Sequence, residues 1–271
     1  MFKINNLTYQ YDKTRKALDN VSMDFNKGNI IGIIGSNGSG KSTLFNNLMG
    51  ILKSTEGEIL YNGEQIKYDK KSLYNLRKEV GIVFQDPEKQ LFYSMVYDDI
   101  AFALRNIGID EKTIKERIHT ALEAVNGLQF IDRPVHNLSF GQKKRVAIAS
   151  VVAMENKLVL LDEPTAGLDP ISTRAIVDII KGLNDRGVKI IISSHDMNLI
   201  YEICDYVYVL NQGVLINEGT REEVFINEEK IDEAGLELPW LVKLHKNMGL
   251  PLFTREEDLY SYWNKQPQKT V

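Results

Sequence analysis

The chain has 271 residues, 43% of them hydrophobic and 26% charged, the balance of an ordinary globular protein with room for one large domain and an appendage. A formal charge of −4 excludes a whole-protein basic field for nucleic acid, and a single cysteine, Cys204, excludes an intramolecular disulfide. No apolar run approaches the roughly 18 residues needed to cross a bilayer. Val146 to Met154 is the longest, and its length suits a buried helix. Met1 to Asn6 carries no apolar leader, so the expectation is a reducing cytoplasm, with any membrane reached through a partner.

Residues 2–9 and 17–25 alternate as strands do, with a polar turn over Asp12 to Lys16 between them. Tyr11 stands at that turn, where it either packs on a strand end or stacks on a nucleotide base. The apolar run Ile30 to Ile34 leads into Gly35-Ser36-Asn37-Gly38-Ser39-Gly40-Lys41-Ser42, and Thr43 to Met49 reads as a helix. This is the phosphate-binding pattern G-x-x-x-x-G-K-[ST] in the strand–loop–helix context it requires. Glycines let successive N–H groups converge on one point, and the helix N-terminus adds partial positive charge. Lys41 can then reach the β- and γ-phosphates and Ser42 can ligate Mg²⁺. Every residue from Gly35 to Thr43 is therefore a candidate ATP contact.

Gly57 to Gly63 reads as a strand ending in an Asn-Gly turn, and Val80 to Phe84 as a buried parallel strand. Gln85 follows it at the edge where open α/β sheets place ligands. It is either a polar loop residue or a group that reaches the Mg²⁺ or its water. From 86 to 156 helical spacing dominates, notably over Glu111 to Val125 and Ser139 to Met154, which predicts a helical insertion between sheet strands. Inside it, Leu138-Ser139-Phe140-Gly141-Gln142 contains a capping box, Ser139 with Gln142. A glycine in a first helical turn costs up to about 1 kcal/mol relative to alanine, so Gly141 suggests close approach by a ligand to a second anion site.

Leu158 to Leu161 predicts a strand ending in Asp162 and Glu163. An Asp in that place holds magnesium in phosphate-loop proteins, and Glu163 is placed to polarise a water for attack on the γ-phosphate. Gly167 to Pro170 reads as a turn, Ile171 to Arg186 as a helix and Lys189 to Ser193 as a strand, after which His195 could contact the γ-phosphate or serve structure alone. Tyr206 to Asn217 predicts a hairpin turning at Asn211-Gln212-Gly213. Beyond it, Thr220 and Thr254 each open a capping box, and Leu241, Leu244 and Met248 share one helical face. The four histidines are scattered, so no metal-ligand cluster is evident.

Together these residues resemble the ATP-binding subunits of ABC transporters, up to about residue 220. Leu138 to Gln142 resembles the ABC signature, with Phe140 where a glycine is usual. The resemblance implies an α/β phosphate-loop NTPase fold of the ABC ATPase type. It has a mixed, mostly parallel sheet core, an antiparallel β subdomain and a helical subdomain at about 86–156. An ATP-binding domain would cover 1–220, and a small helical extension for dimerisation or packing would cover 221–271. It also implies a head-to-tail dimer, formed with an identical chain or a paralogous ATPase, with ATP between one phosphate loop and the partner's Ser139, Gly141 and Gln142. Carried over by position, Tyr11 stacks on adenine, Gln85 links Mg²⁺ to the transmembrane interface and Glu163 is the catalytic base. Lys41 and His195 act on the γ-phosphate, Asp162 and Ser42 hold Mg²⁺, and Asp169 communicates across the dimer.

Asp86 to Phe92 and the tail Glu229 to Pro239 resemble the ATPases of energy-coupling-factor importers, the cobalt-importer type above all. That implies a peripheral ATPase on the cytoplasmic face of the cell membrane, working with a transmembrane coupling protein and a substrate-binding membrane protein, on cobalt, nickel or a vitamin. Soluble ABC ATPases of DNA repair insert a long coiled coil before the signature, and those acting on ribosomes join two ATP-binding domains. Residues 86–137 show no sustained heptads, and the chain has one phosphate loop and one signature, so neither class fits as well.

Overall fold

The computed structural model describes residues 1–12 and 15–265. Residues 13 and 14 of the expected Asp12–Lys16 turn lie outside that range. On either side, β1 (Phe2–Gln10) and β2 (Lys16–Asp24) pair antiparallel. Next come β3 (Ile30–Ile34) and α1 (Lys41–Leu48), then β4 (Glu56–Tyr61), which takes the other edge of β1. Asn62 and Gly63, with φ of 52° and 85°, turn the chain into β5 (Glu64–Gln65). Positive φ at both positions matches the twist of a two-residue hairpin, which is why Asn-Gly stands there. The resulting sheet runs β2-β1-β4-β5.

The chain continues through α2 (Lys70–Glu79), β6 (Val80–Val83), α3 (Val96–Asn106), α4 (Glu111–Ala124) and α5 (Phe140–Ala153). Then follow β7 (Leu158–Asp162), α6 (Pro170–Asp185), β8 (Lys189–Ser194), α7 (Met197–Ile203), β9 (Tyr206–Asn211) and β10 (Val214–Thr220). The second sheet runs β10-β9-β3-β8-β7-β6, parallel throughout except for β10 on β9. Helices cover one face, and α1 together with the antiparallel sheet covers the other, so β3 and β7 are buried along their whole length and read as unbroken apolar runs rather than alternations. At Gly81 a Cβ would come within 2.2 Å of Val151 Cγ1, so glycine there lets α5 lie against the edge strand β6. The parallel order puts the carboxyl ends of β3, β6, β7 and β8 on one side, where the loops after Ile34, Val83, Asp162 and Ser194 emerge.

Two helices lack a strong sequence signal. In α2 only Leu76 is buried, so there is no apolar stripe to see, and the Asp69 side chain, accepting from the N–H groups of Lys71 and Ser72, starts it instead. In α7 the turn is short and Asp196 caps it in the same way. The tail forms α8 (Arg221–Ile226), α9 (Glu228–Glu233), α10 (Trp240–Met248) and α11 (Glu256–Lys265). Thr220 makes the expected capping box with Glu223. At the other site α11 starts at Glu256, which puts Arg255 rather than Thr254 ahead of it. The α10 stripe is also shorter than expected. Leu241 is buried and Leu244 half-buried, but Met248, in the last turn before the left-handed Gly249, is 62% exposed.

Ahead of α3, buried Asp99 shapes the loop. Its Oδ1 accepts from the N–H groups of Phe92 and Tyr93, both at 2.8 Å, and burial pushes its carboxyl pKa up. A raised folded-state pKa means the carboxyl's contribution to stability declines as pH rises through it. Asp99→Asn keeps an acceptor for both N–H groups and removes the buried charge. It should cost less than about 1 kcal/mol in urea unfolding at pH 7, whereas Asp99→Ala, which orphans both donors, should cost about 2 kcal/mol.

Candidate functional site

The loop from Gly35 to Gly40 is built around positive φ, 79° at Gly38 and 108° at Gly40, the residue that caps α1. At Gly40 a Cβ would stand 2.6 Å from Ala17 O, because β2 presses on the loop from one side. The β9–β10 turn meets the loop beside β2, with Gly213 N–H donating to Ser39 O at 3.0 Å. Lys41 is 7% exposed; its Nζ donates to Gly35 O (2.7 Å) and Ser36 O (3.2 Å) and lies 3.7 Å from Glu163 Oε1. Burial lowers the Lys41 pKa, while Glu163 and Asp162 oppose the shift. Ser39 Oγ is buried with no hydrogen-bond partner among the described residues, an orphan that an anion in the loop would satisfy.

Around this loop lies a cavity of about 410 Å³, lined by Asn37 to Thr43, Gln85, Glu163, Tyr11, Arg15 and Ala17. Its size suits a nucleotide. Tyr11 is 63% exposed, with its hydroxyl 3.2 Å from Thr43 Oγ1 and its ring edge-on to Tyr9, so most of one face is open. Arg15 adds a cation at the mouth that the sequence reading passed over as part of a polar turn.

Opposite Lys41, the acids at the end of β7 are held on every side. Asp162 Oδ1 accepts from Ser193 Oγ at 2.6 Å. Glu163 has φ of 46°, left-handed for a residue with a side chain. Its N–H donates to Ser193 Oγ (3.0 Å) and Ser193 O (3.1 Å), and its Oε2 accepts from His195 Nδ1 (2.8 Å) and N–H (3.3 Å). The carbonyl of Glu163 accepts from Lys144 Nζ at 2.9 Å. Lys144 is wholly buried on α5 and its pKa is pushed down to about 8 by desolvation, against the pull of Asp162, Glu163 and Asp86. Sequence reading missed it, since one lysine in a helix that opens with polar residues gives no sign of facing inward.

Ser139, Gly141, Gln142 and Asp169 stand apart from this cavity. Ser139 N-caps α5, its Oγ accepting from Gln142 N–H while Gln142 Oε1 accepts from Ser139 N–H, and Ser139 faces solvent. A Cβ at Gly141 would stand 3.3 Å from Ser172 Oγ and 3.5 Å from Leu168 Cδ2, so packing within the chain also favours a small residue there. Asp169 caps α6, accepting from the N–H groups of Ile171 and Ser172 and from Ser172 Oγ, and those hydrogen bonds hold its carboxyl below the usual range. Ser42, Gln85 and Asp162 offer a hydroxyl, an amide oxygen and one carboxylate. That hard, oxygen-only set suits Mg²⁺, which takes few protein ligands and keeps several waters.

The ABC transporter family model matches residues 18–166. The chain belongs to that family. The cobalt import ATP-binding protein CbiO of Salmonella typhimurium is 45% identical over 265 residues, 98% of this chain and 97% of the relative. The energy-coupling factor transporter ATP-binding protein EcfA of Methanosphaera stadtmanae is 43% identical over 248 residues, 92% and 89% of the two chains. Among solved structures, CbiO1 of Clostridium perfringens, described as part of the CbiONQ complex, superposes with a TM-score of 0.77 at 42% identity, covering 90% of this chain and 98% of that one. The dimeric cassette MJ0796 superposes with a TM-score of 0.75 at 27% identity, over 82% and 99%. The fold is that of an ABC ATPase, and the chain is an ATPase coupled to transport.

ATP present at about 100 times its dissociation constant should stabilise the chain by about 2.7 kcal/mol, read as a rise in melting temperature. Lys41→Ala removes the cation beside the phosphate loop and should reduce that rise by more than half in the same titration.

Proposed function

We propose that this chain is the ATP-hydrolysing subunit of an importer of the energy-coupling-factor type, with cobalt ion as the cargo. One observation carries the catalytic part of the reading. Lys41, Glu163 and His195 converge at the carboxyl ends of β3, β7 and β8, with Glu163 accepting from His195 and facing Lys41. In this reading the loop N–H groups, Ser39 Oγ and Lys41 hold the phosphates, and Tyr11 stacks on the adenine. Ser42, Gln85 and Asp162 would hold Mg²⁺, which neutralises phosphate charge when bound. Glu163 accepts a proton from the attacking water, oriented by His195 Nδ1–H. Positioning and charge stabilisation account for most of the catalysis.

The dimer is proposed as well. Ser139 and Gly141 lie outside their own chain's cavity, Ser139 exposed and Gly141 half-buried, as groups that complete a partner's ATP site would. The solved MJ0796 cassette is dimeric, which supports this. The partner is a second copy or a paralogous ATPase, and the exposed Met248, Tyr260 and Trp263 of the tail (221–271) supply apolar area for packing against it. Likeness to CbiO supports a peripheral place on the cytoplasmic face of the membrane, and among the described residues no helix is long and apolar enough to cross it. A transmembrane coupling protein would dock in the hollow beside Leu91, Phe92, Tyr93, Val135 and His136, where Phe92 is 67% exposed and its ring packs with those of Tyr93 and Phe102. Import and cobalt rest on likeness to CbiO, and cargo selection would belong to a separate substrate-binding membrane protein.

Glu163→Gln should bind ATP as the unaltered chain does and lose about 100-fold or more in steady-state phosphate release. Rapid turnover by that variant would remove Glu163 from the base role. Capture of the chain from native membranes should bring down a multi-span coupling protein and a small integral protein that retains cobalt. Retention of nickel or a vitamin instead would change the cargo, and recovery of ribosomes or repair factors without membrane proteins would overturn the importer reading.

A further inference from the structure

Lys144 is a buried ammonium that the mechanism above does not use. Among the described residues its Nζ makes one hydrogen bond, to the carbonyl of Glu163, although an ammonium has three protons to donate. A fully buried cation with one satisfied donor is a poor stabiliser, and an uncharged side chain would fill the same space at less cost. What it does hold is specific. Glu163 is the left-handed residue that carries the proposed base, and such backbone persists only when its surroundings over-determine it. Ser193 fixes its N–H and His195 its carboxylate, and its carbonyl accepts from Ala166 N–H (3.2 Å) within the turn and from Lys144 Nζ (2.9 Å), the side chain that ties that carbonyl to α5.

Lys144 also stands on the helix that Ser139 starts, one turn beyond Phe140 and on the same face as Gly141. The Lys144 ammonium lies 6.0 Å from the Phe140 ring centroid. That ring rests against Gly167, and Gly141 packs on Leu168 and Ser172. The first turn of α5 is thus joined to the segment after β7 at both ends, through Lys144 at Glu163 and through Phe140 and Gly141 at residues 167–172. In the dimer proposed above, on which this rests, Ser139 and Gly141 meet one ATP while Glu163 of the same chain serves the other.

We infer that Lys144 is a positioning residue that links the two ATP sites: by holding the Glu163 carbonyl, it lets engagement of Ser139 and Gly141 at one site set the orientation of the base at the other. A displacement of the α5 N-terminus is carried by the ammonium directly to the backbone that aims the carboxylate. Glu163 is then aligned for attack only when α5 is seated on the opposite nucleotide.

The test is steady-state ATP hydrolysis by the purified chain as a function of ATP concentration, with Lys144→Met and Lys144→Gln beside the unaltered protein. Lys144→Met keeps length and apolar stem and removes the donor. It should lower kcat about tenfold, leave KM within about twofold and bring the Hill coefficient down to 1. Lys144→Gln retains a neutral N–H donor and should recover most of the kcat and part of the cooperativity, a rescue that a space-filling role would not require. If Lys144→Met fails to fold, Lys144→Leu serves as the donor-free variant, and a kcat and Hill coefficient equal to those of the unaltered chain overturn the inference. Lys144→Met with kcat and Hill coefficient equal to those of an active, cooperative unaltered chain overturns the inference alone. An unaltered chain that hydrolyses ATP without cooperativity overturns the two-site reading and the inference with it.

Discussion

Parallel pairing of β3, β8, β7 and β6 is the constraint on which the site depends. Parallel strands end on the same side of a sheet, and the chain must cross back over a face before the next one begins. The phosphate loop, Gln85, the Asp162–Glu163 pair and His195 are scattered over more than half of the sequence, yet each is the first polar stretch after a buried strand. A one-residue slip of β7 against β8 would part Asp162 from Ser193 and turn the Glu163 side chain away from Lys41. The apolar runs that make these strands insoluble on their own are the same ones that enforce that register.

Electrostatics at the strand ends follows from burial. Lys41, Lys144, Asp162 and Glu163 are all at least nine-tenths buried, two cations with two carboxylates. Each lysine is pushed toward its neutral form by desolvation and held charged by the acids across from it. Such a cluster keeps its charges fixed before nucleotide arrives, which is how a site stabilises developing charge with little reorganisation. Ser39 Oγ, buried without a partner among the described residues, belongs to the same preparation, since an orphaned hydroxyl in a loop of converging N–H groups is satisfied by a phosphate oxygen.

Where a residue's role is set by its immediate neighbours in the chain, the sequence alone was enough to read it. The glycine loop, the Ser139–Gln142 box, the Asn62-Gly63 turn and the acids closing an apolar strand are local patterns, and each stands in the structure where its spacing puts it. Residues whose meaning depends on a partner far along the chain were not legible. Lys144 looks like any helical lysine until α5 is packed against β6 and β7. Asp99 looks like a surface acid until the loop before α3 folds its amides onto it. The packing of Gly141 beside Ser172 was likewise hidden, because Ser172 is on another helix.

The sequence by itself determined the phosphate loop, the α/β class, the identity of the acids and histidine at the strand ends, and the signature that marks the family, because these are written in short patterns of glycine, charge and apolar period. Only the tertiary structure decided that Glu163 is left-handed and held at its N–H, carbonyl and carboxylate, that Lys41 lies 3.7 Å from it, and that Ser139 faces away from its own cavity. Those are matters of distance between segments that meet only when the sheet is assembled, and no periodicity along a single segment encodes which side chain a neighbouring strand will bring to it.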